Sequence, residues 1–166
     1  RCVPGARGNA GRPGGPNFAT RDPIFVPATV RHGGNVWTKV GMRFKSEAVM
    51  VSKDDIIRFA TEYDPQPFHL DDEAAKETIL GGLAASGWHT AAIAMRLAAS
   101  TKPFGPHPPF GAGVDDLRWL RPVRPDDFIH LEGELVDLAP SRSKPHGVAH
   151  VIWTAYNQHG EAVYTF

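Results

Sequence analysis

The chain contains almost no cysteine, no net charge and no long apolar run. Its only thiol is Cys2 among 166 residues, so no internal disulfide staples the fold, and a reducing compartment is the natural setting. At that length a single core can form without a disulfide or metal. Eighteen basic residues balance eighteen acidic ones, which removes the global charge signature of a partner for nucleic acid or an anionic membrane. No apolar stretch reaches the roughly 18 to 20 residues of a membrane span. A soluble cytoplasmic protein with no nucleic-acid or membrane partner is therefore expected. No glycine-rich phosphate loop follows a strand-like run, which removes Rossmann and P-loop readings, and no internal repeat stands out.

What is present divides unevenly. Residues 1–34 carry clustered Gly and Pro (RCVPGARGNAGRPGGP), five arginines against the single acid Asp22, and no apolar periodicity. Such a segment buries too little surface to offset its ordering entropy, so it is expected to be disordered. An Arg-rich start could suggest a transit peptide, but this much Gly and Pro opposes an amphipathic helix. Arg1 is not an initiator, and Met42 opens a stretch with real pattern, so the tail need not belong to the natural start. Residues 35–166 are read as one domain.

Within that domain FKSEAVMVS ends with strand composition. Ser52, with Asp55 three residues on, marks a helix start. Ile56, Ile57, Phe59, Ala60 and Tyr63 follow at helical spacing, and Pro65 and Pro67 stop it. Asp71 can cap a short helix through DEAAKE. GGLAASGWHTAAIAMRLAAST, about five turns if helical throughout, has small and apolar residues nearly all round and reads as a buried helix. VDDLRWL, FIHLEGELVDL, VAHVIWTAYN and AVYTF read as strands separated by turn signals. One long helix and a run of strands give an α+β domain with an antiparallel sheet wrapped on the helix.

Two short stretches carry candidate chemistry. In DPQPFHLDD, Asp64 and His69 are separated by a loop that Pro65 and Pro67 stiffen, so both side chains can be fixed with little entropy left to lose. A carboxylate and an imidazole together can take a proton from water and return one to carbon, commonly for about 10² to 10⁴ in rate. In AASGWHT, the Ser86-Gly87 pair opens a helix whose first N–H groups lack intrahelical partners and sit at the positive end of its dipole. Such a donor can stabilise a developing enolate oxygen. Each stretch alone also has an ordinary reading, an Asx turn with a satisfied histidine in the first and N-capping by Ser86 in the second.

Together, DPQPFHLDDEAA and the later GGLAASGWHTA resemble the MaoC-like family of R-specific enoyl-CoA hydratases in the hotdog superfamily. Its signature is matched by Asp64, Pro67, His69 and Ala75, and the VDDLRWLRPVRPDD stretch also looks familial. The resemblance runs from about Val40 to Phe166. It implies a hotdog fold, with the antiparallel sheet around a long central helix, and a homodimer or higher even oligomer with sites at the interface. It implies a hydro-lyase of fatty acid metabolism that reversibly adds water to a trans-2-enoyl thioester. Asp64 and His69 would activate the water, and the Gly87 N–H would hold the thioester oxygen. Ser86, Gln66 and Trp88 would contact the substrate. Coenzyme A would enter only as part of an acyl-CoA substrate, with no cofactor and no metal. Gln66 stands where the family commonly has Asn, and Asp126 where a turn glycine is usual; a family serine falls near Met95 and is not carried over. A hotdog thioesterase and a non-catalytic acyl-CoA binding or assembly subunit are the alternatives.

Other residues draw plainer expectations. His89 is more readily a satisfied buried histidine than a pocket residue. His146 and His150 have metal-compatible spacing only on a helix, whereas their surroundings are strand-like. Arg118, Arg121 and Arg124 form a basic stripe suited to the phosphates of CoA or a dimer partner, although solvated charge on a strand end is the more frequent case, and Trp37, Trp88, Trp119 and Trp153 read as core and interface packing.

Overall fold

The structure, a computed structural model, describes residues 24–27, 39–105, 109–140 and 146–166. The disorder expected for residues 1–34 falls mostly outside the described residues. Within that stretch Ile24–Pro27 forms a strand, β1, whose Ile, Phe and Val favour extended backbone while Pro27, its last residue, suits an edge position.

Strands β2 (Arg43–Lys45) and β3 (Val49–Val51) lead into helix α1 (Lys53–Tyr63). Ser52 caps α1 by accepting from the Asp55 N–H at 3.1 Å and donating to the Asp55 carboxylate at 2.8 Å. A single turn, α2 (Pro67–Leu70), and α3 (Asp72–Lys76) follow, the latter capped by Asp71 through the Ala74 N–H at 2.8 Å. The loop carrying His69 is thus partly helical rather than extended. Pro67 occupies the first position of that turn, where a missing N–H costs nothing.

The long helix, α4 (Gly87–Ser100), has 14 residues and begins later than its composition allows. Gly81 and Gly82 have φ of +62° and +151°, which ends any right-handed path there. Leu83 to Ser86 then run outside helical geometry, and Ala85 N–H bonds the Val123 carbonyl at 2.8 Å.

The remaining strands are β4 (Arg118–Trp119), β5 (Asp127–Pro140), β6 (His146–Tyr156) and β7 (Ala162–Thr165). The pairing is antiparallel throughout. The long β5–β6 pair is central; β2 and β3 share the outer edge of β5, β1 and β7 the outer edge of β6, and β4 lies beyond β7. A register shift between Leu135 and Asp137 bends the central pair.

Alternation along the strands sends Ile129, Leu131, Trp153, Ala155 and Val163 to one face, where they pack with Ile93, Ala94, Leu97 and Ala98 of α4. The sheet therefore wraps the long helix, as expected. Helix α4 is not buried all round, however: Trp88, Ala92, Met95, Arg96 and Ala99 are exposed along its other side. No helix among the described residues is long and apolar enough to cross a membrane.

Candidate active site

Three helix ends converge on one cleft. Asp64 is the C-cap of α1, tied by its N–H to the Ala60 carbonyl at 2.9 Å. His69 lies in α2, and Gly87 opens α4 behind its cap Ser86. Asp64, Gln66, His69, Gly87 and Trp88 all line a cleft of about 460 Å³, together with Leu80, Trp119 and Arg121.

His69 is buried, and its Nδ1 lies 2.7 Å from the Ala84 carbonyl oxygen. A carbonyl can only accept, so Nδ1 carries the hydrogen. Whenever the ring is neutral, Nε2 presents its lone pair, and it lies 3.5 Å from Asp64 Oδ2. Two acceptors at that separation can each receive one hydrogen of a water lying about 2.8 Å from both. Such a water keeps its lone pairs free for a carbon.

Asp64 is prepared as an anion. Ser86 Oγ donates to Oδ2 at 2.6 Å, and Gln66 Nε2 donates to Oδ1 at 2.7 Å. The Ser86 bond first, then Gln66 and the nearby His69, hold the carboxyl below its usual range against the opposing effect of burial. The longer amide of Gln66, compared with Asn, reaches the carboxylate without difficulty.

Ser86 does not line the cleft. Its side chain is fully buried, donates to Asp64 and accepts from the Trp88 N–H at 3.2 Å. The hydroxyl thus joins α4 to the carboxylate. Gly87, the first residue of α4, has no intrahelical carbonyl for its N–H, which lies at the positive helix end. Its residue type follows from a neighbour: a Cβ there would lie 2.6 Å from Trp119 Cε2, and the indole Nε1 donates to the Gly87 carbonyl at 2.7 Å.

The tryptophans divide. Trp153 is buried, whereas Trp88 and Trp119 are 59% and 47% exposed and meet edge to face beside the cleft. Trp153 packs in the core, whereas Trp88 and Trp119 line the cleft; Trp37 lies outside the described residues. His89 is buried and stacks on Phe59 at 4.7 Å, away from the cleft lining, and its Nδ1 has no hydrogen-bond partner among the described residues. Burial lowers its pKa. His146 and His150 lie on strand β6, where the spacing loses its helical meaning. Among the described residues no group of three or more His, Cys, Asp or Glu is placed to hold a metal.

The basic stripe also separates. Arg118 is near Asp116 at 3.8 Å, and Arg121 reaches Glu161 at 3.4 Å while lining the cleft. Arg124 turns inward onto the carbonyls of Leu80, Gly82 and Leu83. Sequence reasoning missed that role and the Ala84 acceptor of His69, since backbone carbonyls leave no mark in residue identity.

Comparison with known proteins places this arrangement. The profile of the MaoC like domain matches residues 36–157. YdeM of Bacillus subtilis is 37% identical over 119 residues, covering 72% of this chain and 84% of that protein. A crystal structure of the MaoC-like dehydratase from Rhodospirillum rubrum aligns with a TM-score of 0.72 and 45% identity over 77% of this chain and 88% of that one. The R-hydratase PhaJ1 of Pseudomonas aeruginosa, at 22% identity and a TM-score of 0.61 over 87% of this chain and 84% of that one, shares the hotdog fold. With a helix wrapped by an antiparallel sheet, the aspartate-histidine pair at its mouth and these matches across most of its length, the chain belongs to the MaoC-like domain family.

Proposed function

We propose that the protein is an enoyl-CoA hydratase/dehydratase, a hydro-lyase that reversibly adds water to a trans-2-enoyl thioester. One observation carries the reading: His69, its Nδ1 committed to the Ala84 carbonyl, faces the Asp64 carboxylate across 3.5 Å in the cleft that Gly87 also lines. A water between two acceptors, and an N–H donor close by for the thioester oxygen, are what conjugate addition to a thioester requires.

The step balances within those groups. The thioester oxygen accepts from the Gly87 N–H, which draws electron density from the β-carbon. Water held by Asp64 and His69 attacks that carbon: an O–H bond breaks, a C–O bond forms, and the π electrons pass to the thioester oxygen as an enolate. The proton goes to the Asp64–His69 pair. Collapse of the enolate takes a proton from the same pair at the α-carbon, leaving both groups as they began. Asp64, held ionised, orients the water and stabilises the charged imidazole; the fixed positions of both lower the entropic barrier. Donation by Gly87 at the developing oxyanion contributes about 10² to 10³ in rate by analogy with other such donors. Coenzyme A acts as the substrate's handle, and the step calls for no metal or further cofactor.

Gln66 and Trp88 line the cleft and would contact the substrate, while Ser86 would serve it through Asp64. The exposed stripe Trp88, Ala92, Met95 and Ala99 on α4 suits a second copy of the chain, which supports a homodimer. The test is spectrophotometric: crotonyl-CoA should lose its enoyl absorbance with the wild type and retain it with Asp64→Asn. Release of free thiol would point to a thioesterase instead, and CoA binding without either reaction to a non-catalytic subunit.

A further inference from the structure

Residues Leu80 to Ser86 connect α3 to α4 with little secondary structure of their own, yet they supply Ala84, whose carbonyl fixes His69, and Ser86, whose hydroxyl fixes Asp64. Something must hold this segment. Arg124 Nη1 donates to the carbonyls of Gly82 at 2.5 Å and Leu83 at 3.1 Å, and Nη2 donates to that of Leu80. Asp72 holds the complementary group, accepting from the Leu83 N–H at 3.0 Å. Three carbonyl oxygens turned toward one point repel each other, and a planar cation with several donors is the side chain that reconciles them. Arg124 is half-buried and absent from the cleft lining, although its neighbour Val123 lines the cleft and accepts from the Ala85 N–H at 2.8 Å.

We propose that Arg124 is a positioning residue: by gathering the carbonyls of Leu80, Gly82 and Leu83 it sets the Ala84 carbonyl that selects the Nδ1–H tautomer of His69. Its kinetic consequence rests on the hydratase reading, but the tautomer does not. Losing the clamp lets the segment drift, frees Nδ1 and allows the proton to move to Nε2, where it blocks the acceptor a bridging water needs. A misplacement of about 1 Å at such a site is worth up to about 100-fold in rate.

The experiment is ¹⁵N NMR of the full chain. In the wild type the His69 ring nitrogens should report the Nδ1–H form, and the Arg124 Nη resonances should be individually resolved because the clamp slows guanidinium rotation. Arg124→Met should mix the His69 tautomers and lower kcat about 10- to 100-fold with KM changed less than about threefold, and Arg124→Lys should recover part of both. An unchanged His69 tautomer in a folded Arg124→Met protein would overturn the proposal. If that variant does not fold, the wild type decides alone: a freely rotating Arg124 guanidinium would equally overturn it. A tautomer shift in a protein that never hydrates crotonyl-CoA would uphold the clamp while removing the hydratase reading, so the two failures are distinct.

Discussion

Ser86→Ala removes one hydroxyl that connects the helix start to the carboxylate. The side chain is fully buried, donates to Asp64 Oδ2 at 2.6 Å and accepts from the Trp88 N–H at 3.2 Å. A hydrogen bond to a charged group contributes about 1.5 to 3 kcal/mol, and an N-cap about 0.5 to 2 kcal/mol. Both come from one oxygen, so they do not add fully. Asp64 keeps its Gln66 bond at 2.7 Å and remains partly open to solvent, so its charge is not stranded. The expected loss is about 2 kcal/mol at neutral pH, read by urea denaturation.

The pH dependence carries the sharper test. The Ser86 bond is the largest cause of the depressed Asp64 pKa. That depression contributes stability present above the unfolded-state carboxylate pKa and lost as pH falls through the folded value. The gap between wild type and Ser86→Ala should therefore be widest at neutral pH and narrow through the acid range. With the bond gone the Asp64 pKa rises, so the acid limb of kcat/KM should move to higher pH. A gap independent of pH, or an acid limb that stays in place or moves lower, would refute the assignment of Ser86 to the carboxylate.

Three further perturbations follow from contacts. Gly87→Ala places a Cβ at 2.6 Å from the half-exposed Trp119 indole, which should swing away and lose its bond to the Gly87 carbonyl. Stability should fall by about 0.5 to 1.5 kcal/mol with an altered tryptophan fluorescence, and a double-mutant cycle with Trp119→Ala should remove most of the stability loss. Gly133→Ala sets a Cβ at 2.4 Å from the buried Trp153 ring crossing it, and thermal denaturation should reveal a cost of about 1 to 3 kcal/mol. Asp126 sits at φ +67°, so Asp126→Gly should stabilise by up to about 1 kcal/mol in the same assay with activity unchanged.

Much of this was legible in the residues. Ser52 and Asp71 announce their helices because a cap acts on the next turn, a local relation that sequence carries directly. The alternation of β5 and β6 and the small inner face of α4 predict a sheet wrapped on a helix. The start of α4 was less clear, since the alanines before Ser86 favour helix by propensity while the backbone of Gly81 and Gly82 decides otherwise. At the site, Asp64 and His69 could be named from spacing and type. Their partners could not: Ser86 meets Asp64 across 22 residues, and Arg124 reaches Leu80 across 44. Such long-range bonds appear only once the chain is folded. Residue type alone did not separate Trp153 in the core from Trp88 and Trp119 beside the cleft, because an aromatic has the same composition in either place.

The reaction proposed is the delivery of a water by Asp64 and His69 to the β-carbon of an enoyl thioester. Its most direct test is to run crotonyl-CoA with the protein in ¹⁸O-water and follow the label by mass spectrometry. The wild type should give a 3-hydroxyacyl-CoA carrying the heavy oxygen, and Asp64→Asn no labelled product. Heavy oxygen in a free acid with release of CoA, or labelled hydroxyacyl-CoA formed equally fast by Asp64→Asn, would contradict it.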